Sequence, residues 1–318
     1  MLKKLRNIVN NEEKKRLLSN FLSLSILQGA NYLLPLLTLP YLVRVLGVEY
    51  FGLLAFATAI VAYFQIITDY GFNLTATREI SINRDHKEKI IEIFSSVIII
   101  QFFLMLGSLF LLSILVFSFE KFTKDALIYF LTFGIVIGQV LFPVWFFQGM
   151  EKMKYVTFLN ILSKLIFTIA IFIFVEEEKD FYLVPIFTSI GFIVAGICSL
   201  FIIKKEFNIN FKFQPLCNIK FRIIEGWYIF LSQIKISLFS NTNTVVLGLI
   251  AGDKAVGYFA AAEKIIRSIS SMQVPITQSL FPYISRNMRI DRINTINKIL
   301  IVSKIGTFIY LFIIFIIF

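Results

Sequence analysis

Residues 90–117 carry the sequence "IIEIFSSVIIIQFFLMLGSLFLLSILVF", and this stretch decides the fold class. Its only charged residue is Glu92. A helix needs about 20 apolar residues to cross roughly 30 Å of hydrocarbon, so the stretch predicts a membrane-spanning helix. Over the whole chain, 58% of residues are hydrophobic and 16% are charged, against roughly 45–50% and about 25% in soluble domains. The composition predicts an integral membrane protein and argues against soluble and disordered classes.

Similar apolar segments occur along the full length of the chain. We predict nine spans, at 19–44, 50–70, 90–117, 126–147, 155–175, 181–203, 227–250, 257–280 and 299–318. The fold class expected is therefore an all-α, polytopic membrane bundle. Residues 1–18 are too polar and too acidic for a cleaved signal peptide, so we expect a short amphipathic lead-in on the cytoplasmic side.

The distribution of basic residues predicts the orientation. One set of loops holds 21 of the 31 Lys and Arg residues, and the alternate set holds five. Basic residues collect in cytoplasmic loops, so the N-terminus is expected in the cytoplasm, and the turns at 45–49, 118–125, 176–180 and 251–256 outside. The net charge of +11 is then explained by topology, and no nucleic-acid partner is expected.

The chain offers few residues for metal or redox chemistry. Its two cysteines, Cys198 and Cys217, are far apart, and its single histidine, His86, lies in a charged loop. No disulfide framework, zinc site or histidine-based triad is expected. A Walker-type phosphate-binding motif is also absent from the sequence, so we expect no cofactor, no metal and no ATPase activity of its own.

An internal repeat relates two of the outer turns. At a constant offset of 205, "GVEYFGLLAFATAI" from Gly47 matches "GDKAVGYFAAAEKI" from Gly252, and Gly52 falls on Gly257. Both turns are expected outside, which predicts two parallel six-helix lobes. The expected organisation is an N-terminal lobe at 19–203, a cytoplasmic loop at 204–226 and a partial C-terminal lobe at 227–318. Two full lobes need twelve helices and nine are predicted, so we expect either a chain truncated at its C-terminus or a second lobe that is built differently.

Polar side chains inside the predicted spans mark a candidate binding site. Lys164 lies about 15 Å deep in its span, where a basic side chain costs about 2.5–3.5 kcal/mol, and it shares a helix face with Asn160. Arg267 can pair with Glu263 at i, i+4. The full set of candidate substrate-binding residues is Lys164, Lys264, Arg267, Lys235, Gln28, Asn31, Asn160, Gln233 and Asn241. Pro35 and Pro40, in the first span, are candidates for a hinge.

Positive charge exceeds negative charge in this predicted interior, and uncharged hydrogen-bonding groups surround it. Lysine and arginine bind phosphate, and amide and hydroxyl side chains bind glycans. The residues therefore predict a cavity for an anionic head group that is attached to a hydroxyl-rich molecule.

Several motifs resemble the Wzx-type polysaccharide flippases, which are repeat-unit translocases of the multidrug/oligosaccharidyl-lipid/polysaccharide exporter superfamily. They are "LPLLTLPYLVRVLGVEYFGLLAFATAI" (34–60), "DYGFNLTATREIS" (69–81), "PVWFFQGMEKMKYVT" (143–157), "LSQIKISLFSNTNTVVLGLIAGDKAVGYFAAAEKI" (231–265) and "PITQSLFPYIS" (275–285). The resemblance implies two six-helix bundles around a cationic cavity, in the bacterial inner membrane. It implies an undecaprenyl-diphosphate-linked glycan as substrate, and polymerase or ligase machinery as further partners.

Three alternatives remain open at this point. A cation-coupled multidrug exporter or a lipid II or teichoic-type flippase would share the fold. The exporter is disfavoured because its cavity needs carboxylates, whereas the first and seventh spans contain none. A membrane glycosyltransferase or O-antigen polymerase is a different class, and it is disfavoured because every predicted outer loop is short.

Overall fold

The architecture is that of a computed structural model, which describes the backbone of residues 2–271 and the side chains of residues 26, 29–31 and 33–268. Within that part all regular secondary structure is helical, and there is no β-strand. The helices are α1 (Leu2–Asp69), α2 (Phe72–Ile82), α3 (Lys87–Ser118), α4 (Glu120–Thr123), α5 (Ala126–Leu141), α6 (Val144–Gly149), α7 (Met153–Phe174), α8 (Leu183–Glu206), α9 (Leu216–Ala251) and α10 (Asp253–Ser271). A short 3-10 helix at Glu178–Tyr182 precedes α8.

Six segments of the described chain are long and apolar enough to cross a membrane. They are Gly29–Ile82, Lys87–Ser118, Ala126–Gly149, Met153–Phe174, Glu178–Glu206 and Leu216–Ala251. The expected class, a polytopic helical membrane protein, agrees with this. The count of nine spans and the two lobes stay predictions, because the span expected at 299–318 and the end of the span at 257–280 lie outside the described residues.

Two interruptions shape these long segments. The backbone of α1 leaves helical geometry at Gly47, with φ 73° and ψ 166°, between the two spans predicted at 19–44 and 50–70. The span predicted at 126–147 is broken, because α5 ends at Leu141 and α6 begins at Val144. Pro143, the N-cap of α6, lacks an N–H and cannot continue a helix hydrogen-bond ladder.

Helical structure also extends into regions where the sequence predicts loops. The eleven-residue helix α2 lies between the spans predicted at 50–70 and 90–117, and α9 begins at Leu216, within the segment 204–226. Just beyond the end of α2, Arg84 Nε donates to the carbonyl of Gly149, the last residue of α6, over 2.7 Å, and Arg84 pairs with Glu151 at 2.7 Å.

The chain divides into two compact units. Residues Leu37–Ala260 form one, and the described parts of Met1–Leu36 and Ala261–Phe318 belong to the other. The core of the first unit is aromatic, with Trp145, Phe146 and Phe147 almost fully buried. The same unit leaves large apolar side chains of α3 exposed, among them Phe103, Phe110 and Phe117. An exposed apolar surface of this kind suits hydrocarbon rather than water.

The internal repeat is visible in the backbone of the Leu37–Ala260 unit. Gly252 has φ 82° and ψ 177°, close to the values at Gly47, which precedes it by 205 residues. Five residues further on, a Cβ built on Gly52 would lie 2.7 Å from the Gly257 nitrogen and would collide with the Asp253 carbonyl oxygen. A Cβ built on Gly257 would collide with the carbonyl oxygen of Val48, which is the repeat equivalent of Asp253.

Candidate functional site

The polar stripe predicted around Lys164 lies in the middle of α7. Thr157 and Thr168 on this stripe are buried, and Asn160 and Lys164 are half-buried. Asn160 Nδ2 donates to the Val156 carbonyl over 2.9 Å. The stripe is thus turned largely toward the interior of the Leu37–Ala260 unit, while Phe158 and Ile169 on other faces of α7 are exposed.

Helix α9 carries the second polar stripe. Ser237 and Thr244 are buried, and Gln233 and Asn241 are half-buried. Asn241 Nδ2 donates to Ser237 Oγ over 3.0 Å. Lys235 is exposed on another face, so the structure separates it from the stripe.

The two stripes lie on helices that share α1 as a neighbour, since Tyr41 of α1 contacts Phe172 of α7 and Tyr63 of α1 contacts Thr242 of α9, but that otherwise pack on different helices. Helix α7 packs on α8 and α6, whereas α9 packs on α3 and α2, and the described residues show no extensive contact between α7 and α9. Close packing of α7 on α8 requires a glycine, because a Cβ built on Gly191 would lie 2.6 Å from the Ser163 carbonyl oxygen.

Four candidate residues belong to the other unit. Arg267 pairs with Glu263 at 2.8 Å, as the i, i+4 spacing predicts, and its side chain is 57% exposed. Lys264 and Asn31 are half-buried, and the side chain of Gln28 lies outside the described residues. A shared cavity for Lys164, Lys264 and Arg267 stays a prediction.

The proposed hinge residues lie within α1. The backbone of this helix is non-helical at Gly47 and helical at Pro35 and Pro40. Pro40 is exposed and Pro35 is half-buried. A hinge movement at the two prolines stays a prediction.

A charged cluster that the sequence did not predict joins three helices. Arg222 on α9 is only 4% exposed, and its guanidinium lies 3.2 Å from Glu79 Oε2 on α2 and 3.6 Å from Glu92 Oε1 on α3. It also lies 3.2 Å from Glu225 Oε2, one turn along its own helix. Lys89 pairs with Glu92 at 2.7 Å. The positive-inside count treats Arg222 as an ordinary loop cation, and only its i, i+3 spacing from Glu225 hints at an ion pair.

A buried carboxylate lies beside the glycine contact at the other end of α9. Asp253 Oδ1 is buried without a hydrogen-bond partner. Lys121 on α4 donates to the Gly248 carbonyl, and its ammonium lies 4.9 Å from the centre of the Phe56 ring. Burial raises the pKa of Asp253. Lys121 and Lys124 oppose the rise, and Asp125 and Glu49 add to it.

Residues 17–288 match the family described as polysaccharide biosynthesis protein. The chain belongs to this family. The resemblance to Wzx-type flippases noted in the sequence is confirmed by this match and by the relatives described next.

Two relatives carry the name "Putative O-antigen transporter". The one from Escherichia coli (strain K12) is 38% identical over 283 residues, which cover 89% of this chain and 68% of the relative. The one from Shigella dysenteriae is 34% identical over 269 residues, which cover 84% of this chain and 67% of the relative. No solved structure matches the chain. Family membership and the apolar helices identify a multi-pass membrane protein of polysaccharide biosynthesis.

The described residues contain no group of three or more His, Cys, Asp or Glu side chains that could hold a metal ion. The candidate groups for substrate binding on α7, α9 and α10 are polar and cationic side chains, and their role stays a prediction. Cationic side chains bind phosphate by charge, and amides and hydroxyls bind sugars by hydrogen bonds.

Proposed function

We propose that the protein flips a polyprenyl-diphosphate-linked oligosaccharide, such as an O-antigen or capsule repeat unit, from the cytoplasmic to the outer leaflet of the bacterial inner membrane. The carrier would be undecaprenyl diphosphate, and polymerase or ligase machinery would act on the product. Two relatives named as O-antigen transporters support this substrate class.

The observation that carries the proposal is the position of Lys164. It lies near the centre of the 22-residue helix α7, on a face whose neighbours Thr157 and Thr168 are buried. A cation at a helix centre is costly in a membrane and marks a functional position by default. A diphosphate is the part of the substrate that most needs a cation, because its negative charge must cross the low-dielectric interior.

We further propose that Lys164, Lys264 and Arg267 face one cationic cavity, in which Gln28, Asn31, Asn160, Gln233 and Asn241 contact the glycan. The cavity would open alternately to the two sides. A site that opens on one side at a time suits a bulky head group, because no continuous channel for water or ions is formed.

The test is complementation of cells that lack their own flippase, with surface polysaccharide as the readout. Lys164→Arg keeps the charge and Lys164→Ala removes it, so the arginine variant should retain much more polysaccharide. The matched control is Lys154→Ala, which removes an exposed lysine from the same helix. If Lys164→Ala matches the parent at equal protein levels, the cavity assignment is wrong.

Arg267 needs a paired design because its loss strands the carboxylate of Glu263, 2.8 Å away, and an unpaired charge destabilises the fold. The double change Glu263→Ala with Arg267→Ala removes both charges. If the double variant accumulates to the parent's protein level but does not restore surface polysaccharide, the result supports a role of Arg267 in transport. If it restores both, the role of the pair is structural.

A further inference from the structure

The cluster around Arg222 joins helices that come from distant parts of the chain. Its guanidinium bridges Glu79 of α2 and Glu92 of α3, and it is nearly removed from solvent. Removing one partner of a buried ion pair leaves an uncompensated charge, which is strongly destabilising. A cluster of this type is therefore costly to take apart, unless each charge keeps another partner.

Two of the three helices do supply such a partner. Arg222 keeps Glu225, which lies three residues further along α9, and Glu92 keeps Lys89, which lies three residues before it on α3. If α9 moves away from α2 and α3, both intrahelical pairs travel with their own helices. Among the ion pairs of the cluster, only Glu79 loses its partner.

The cluster is also not optimised for permanent stability. The Nε of Arg222 is buried and has no hydrogen-bond partner. Three carboxylates, Glu79, Glu92 and Glu225, face two cations, Arg222 and Lys89. A cluster with only a structural role gains by satisfying every buried N–H group and by balancing its charge.

Part of the contact next to the cluster is made by flat surfaces. The rings of Tyr70 and Phe230 stack with centroids 4.5 Å apart, and Tyr70 Oη donates to the Ile223 carbonyl over 3.2 Å. Gly226 lies against the Tyr70 ring, since a Cβ built there would lie 3.0 Å from the ring carbons. Stacked faces of this kind separate without rearrangement of a packed core.

We propose that Arg222, Glu79, Glu92 and Glu225 form a reversible latch, which holds the first half of α9 on α2 and α3 and releases it during the transport cycle. The latch lies at the end of the protein where the Lys and Arg distribution predicts the cytoplasm. Its release would open the route by which the head group enters from that side. This role in transport rests on the proposed function, whereas the opening of the latch can be measured without transport.

The measurement is disulfide formation across the latch. A Cβ built on Gly71 lies 3.1 Å from the Cβ of Ile229, near the spacing of about 3.5–4.5 Å found in disulfides. Gly71→Cys with Ile229→Cys, in a chain whose Cys198 and Cys217 are replaced by serine, reports the closed state in isolated membranes. Every latch variant is made in this double-cysteine chain, so any strain that Gly71→Cys introduces is the same in all of them.

The latch predicts a specific order among the variants. Arg222→Gln should lower the cross-linked fraction several-fold, and Glu79→Gln should lower it less, because Glu92 still holds Arg222. Glu225→Gln is the matched control, and it should cross-link at least as much as the parent, since it removes only the partner that Arg222 keeps when α9 moves away. If Arg222→Gln fails to accumulate, the contrast between Glu79→Gln and Glu225→Gln decides. Equal cross-linking in these two variants would overturn the proposal.

The cysteine pair also tests the role in transport. Oxidation should stop the appearance of surface polysaccharide, and a reductant should restore it. Undiminished polysaccharide with a fully formed disulfide would refute a latch that opens in the cycle. A different outcome separates the latch from the proposed function. If neither the parent nor the reduced double-cysteine variant supports surface polysaccharide, but the latch variants cross-link in the expected order, the proposed function is wrong and the latch is supported.

Discussion

Gly52 and Gly257 lie against each other where α1 crosses α10, and each glycine accommodates the backbone of the opposite helix. Gly52 faces the carbonyl oxygen of Asp253, and Gly257 faces that of Val48. Gly257 follows Gly52 by 205 positions, and Asp253 follows Val48 by the same number, so the contact is reciprocal. The repeat seen in the sequence therefore corresponds to a local two-fold relationship in the structure.

Substitution at this crossing should destabilise the protein. Gly52→Ala and Gly257→Ala would each place a methyl group into a backbone carbonyl, and overpacking of this kind costs about 1–3 kcal/mol. The control is Gly107→Ala on α3, where nothing lies within 4 Å of the added carbon and alanine favours the helix. Thermal stability of the detergent-solubilised protein should fall in the first two variants and stay level or rise in the third.

Substitution by alanine at Gly47 and at Gly252, the two equivalent breaks in the helices, should lower stability to a similar extent. Gly47→Ala and Gly252→Ala force a side chain into a backbone conformation that is nearly exclusive to glycine, at a cost of about 1–3 kcal/mol. Nothing lies within 4 Å of a Cβ at Gly252, and the nearest atom at Gly47 is 3.9 Å away, so the cost is conformational. Similar losses of thermal stability are expected, and a loss at one position alone would contradict the equivalence.

The pH dependence of stability should contain a contribution from Asp253. Burial raises the pKa of this carboxyl above its ordinary value of 3.8, so the folded state binds the proton more tightly than the unfolded state. This contribution makes the folded state less stable as pH rises from 3.8 through the raised pKa. Asp253→Asn should remove that fall, whereas Asp85→Asn, at an exposed site, should leave it unchanged. A difference in melting temperature between parent and Asp253→Asn that does not vary with pH would refute the prediction.

The expected orientation can be tested with single cysteines. Asn83→Cys follows α2 and Ala255→Cys lies in the first turn of α10, in loops predicted on opposite sides of the membrane. In intact cells, a membrane-impermeant thiol reagent should label the cysteine at 255 and spare the one at 83. The opposite pattern would reverse the topology and with it the proposed direction of transport.

The sequence predicted most of the helical segments because hydrocarbon thickness fixes their length. The span predicted at 155–175 corresponds to Met153–Phe174, and the one at 90–117 corresponds to Lys87–Ser118. The sequence did not predict α2 or the start of α9 as helices, because both segments carry charges and a search for apolar spans passes over them. Tertiary contacts of Arg84, beside α2, and of Arg222, in α9, are visible only in the structure. The break before Pro143 was also missed, since an apolar window does not register a single proline.

The candidate site could be predicted only in part. A cation such as Lys164 stands out because its surroundings are apolar, and Glu263 and Arg267 follow from local spacing. The cluster around Arg222 could not be found in this way, because its partner Glu79 lies 143 residues away. Contacts between residues so far apart in the sequence depend on how the helices pack, and composition does not predict this packing.

The phenylalanines exposed along α3 have a consequence for how this family changes over time. Phe103, Phe110 and Phe117 extend away from the core, and lipid chains accept leucine, isoleucine or methionine there equally well. Mutations can therefore accumulate on this surface as long as each replacement is apolar. Relatives should diverge fastest along this stripe and slowest at the glycine crossing, so a shared fold can outlast recognisable sequence identity.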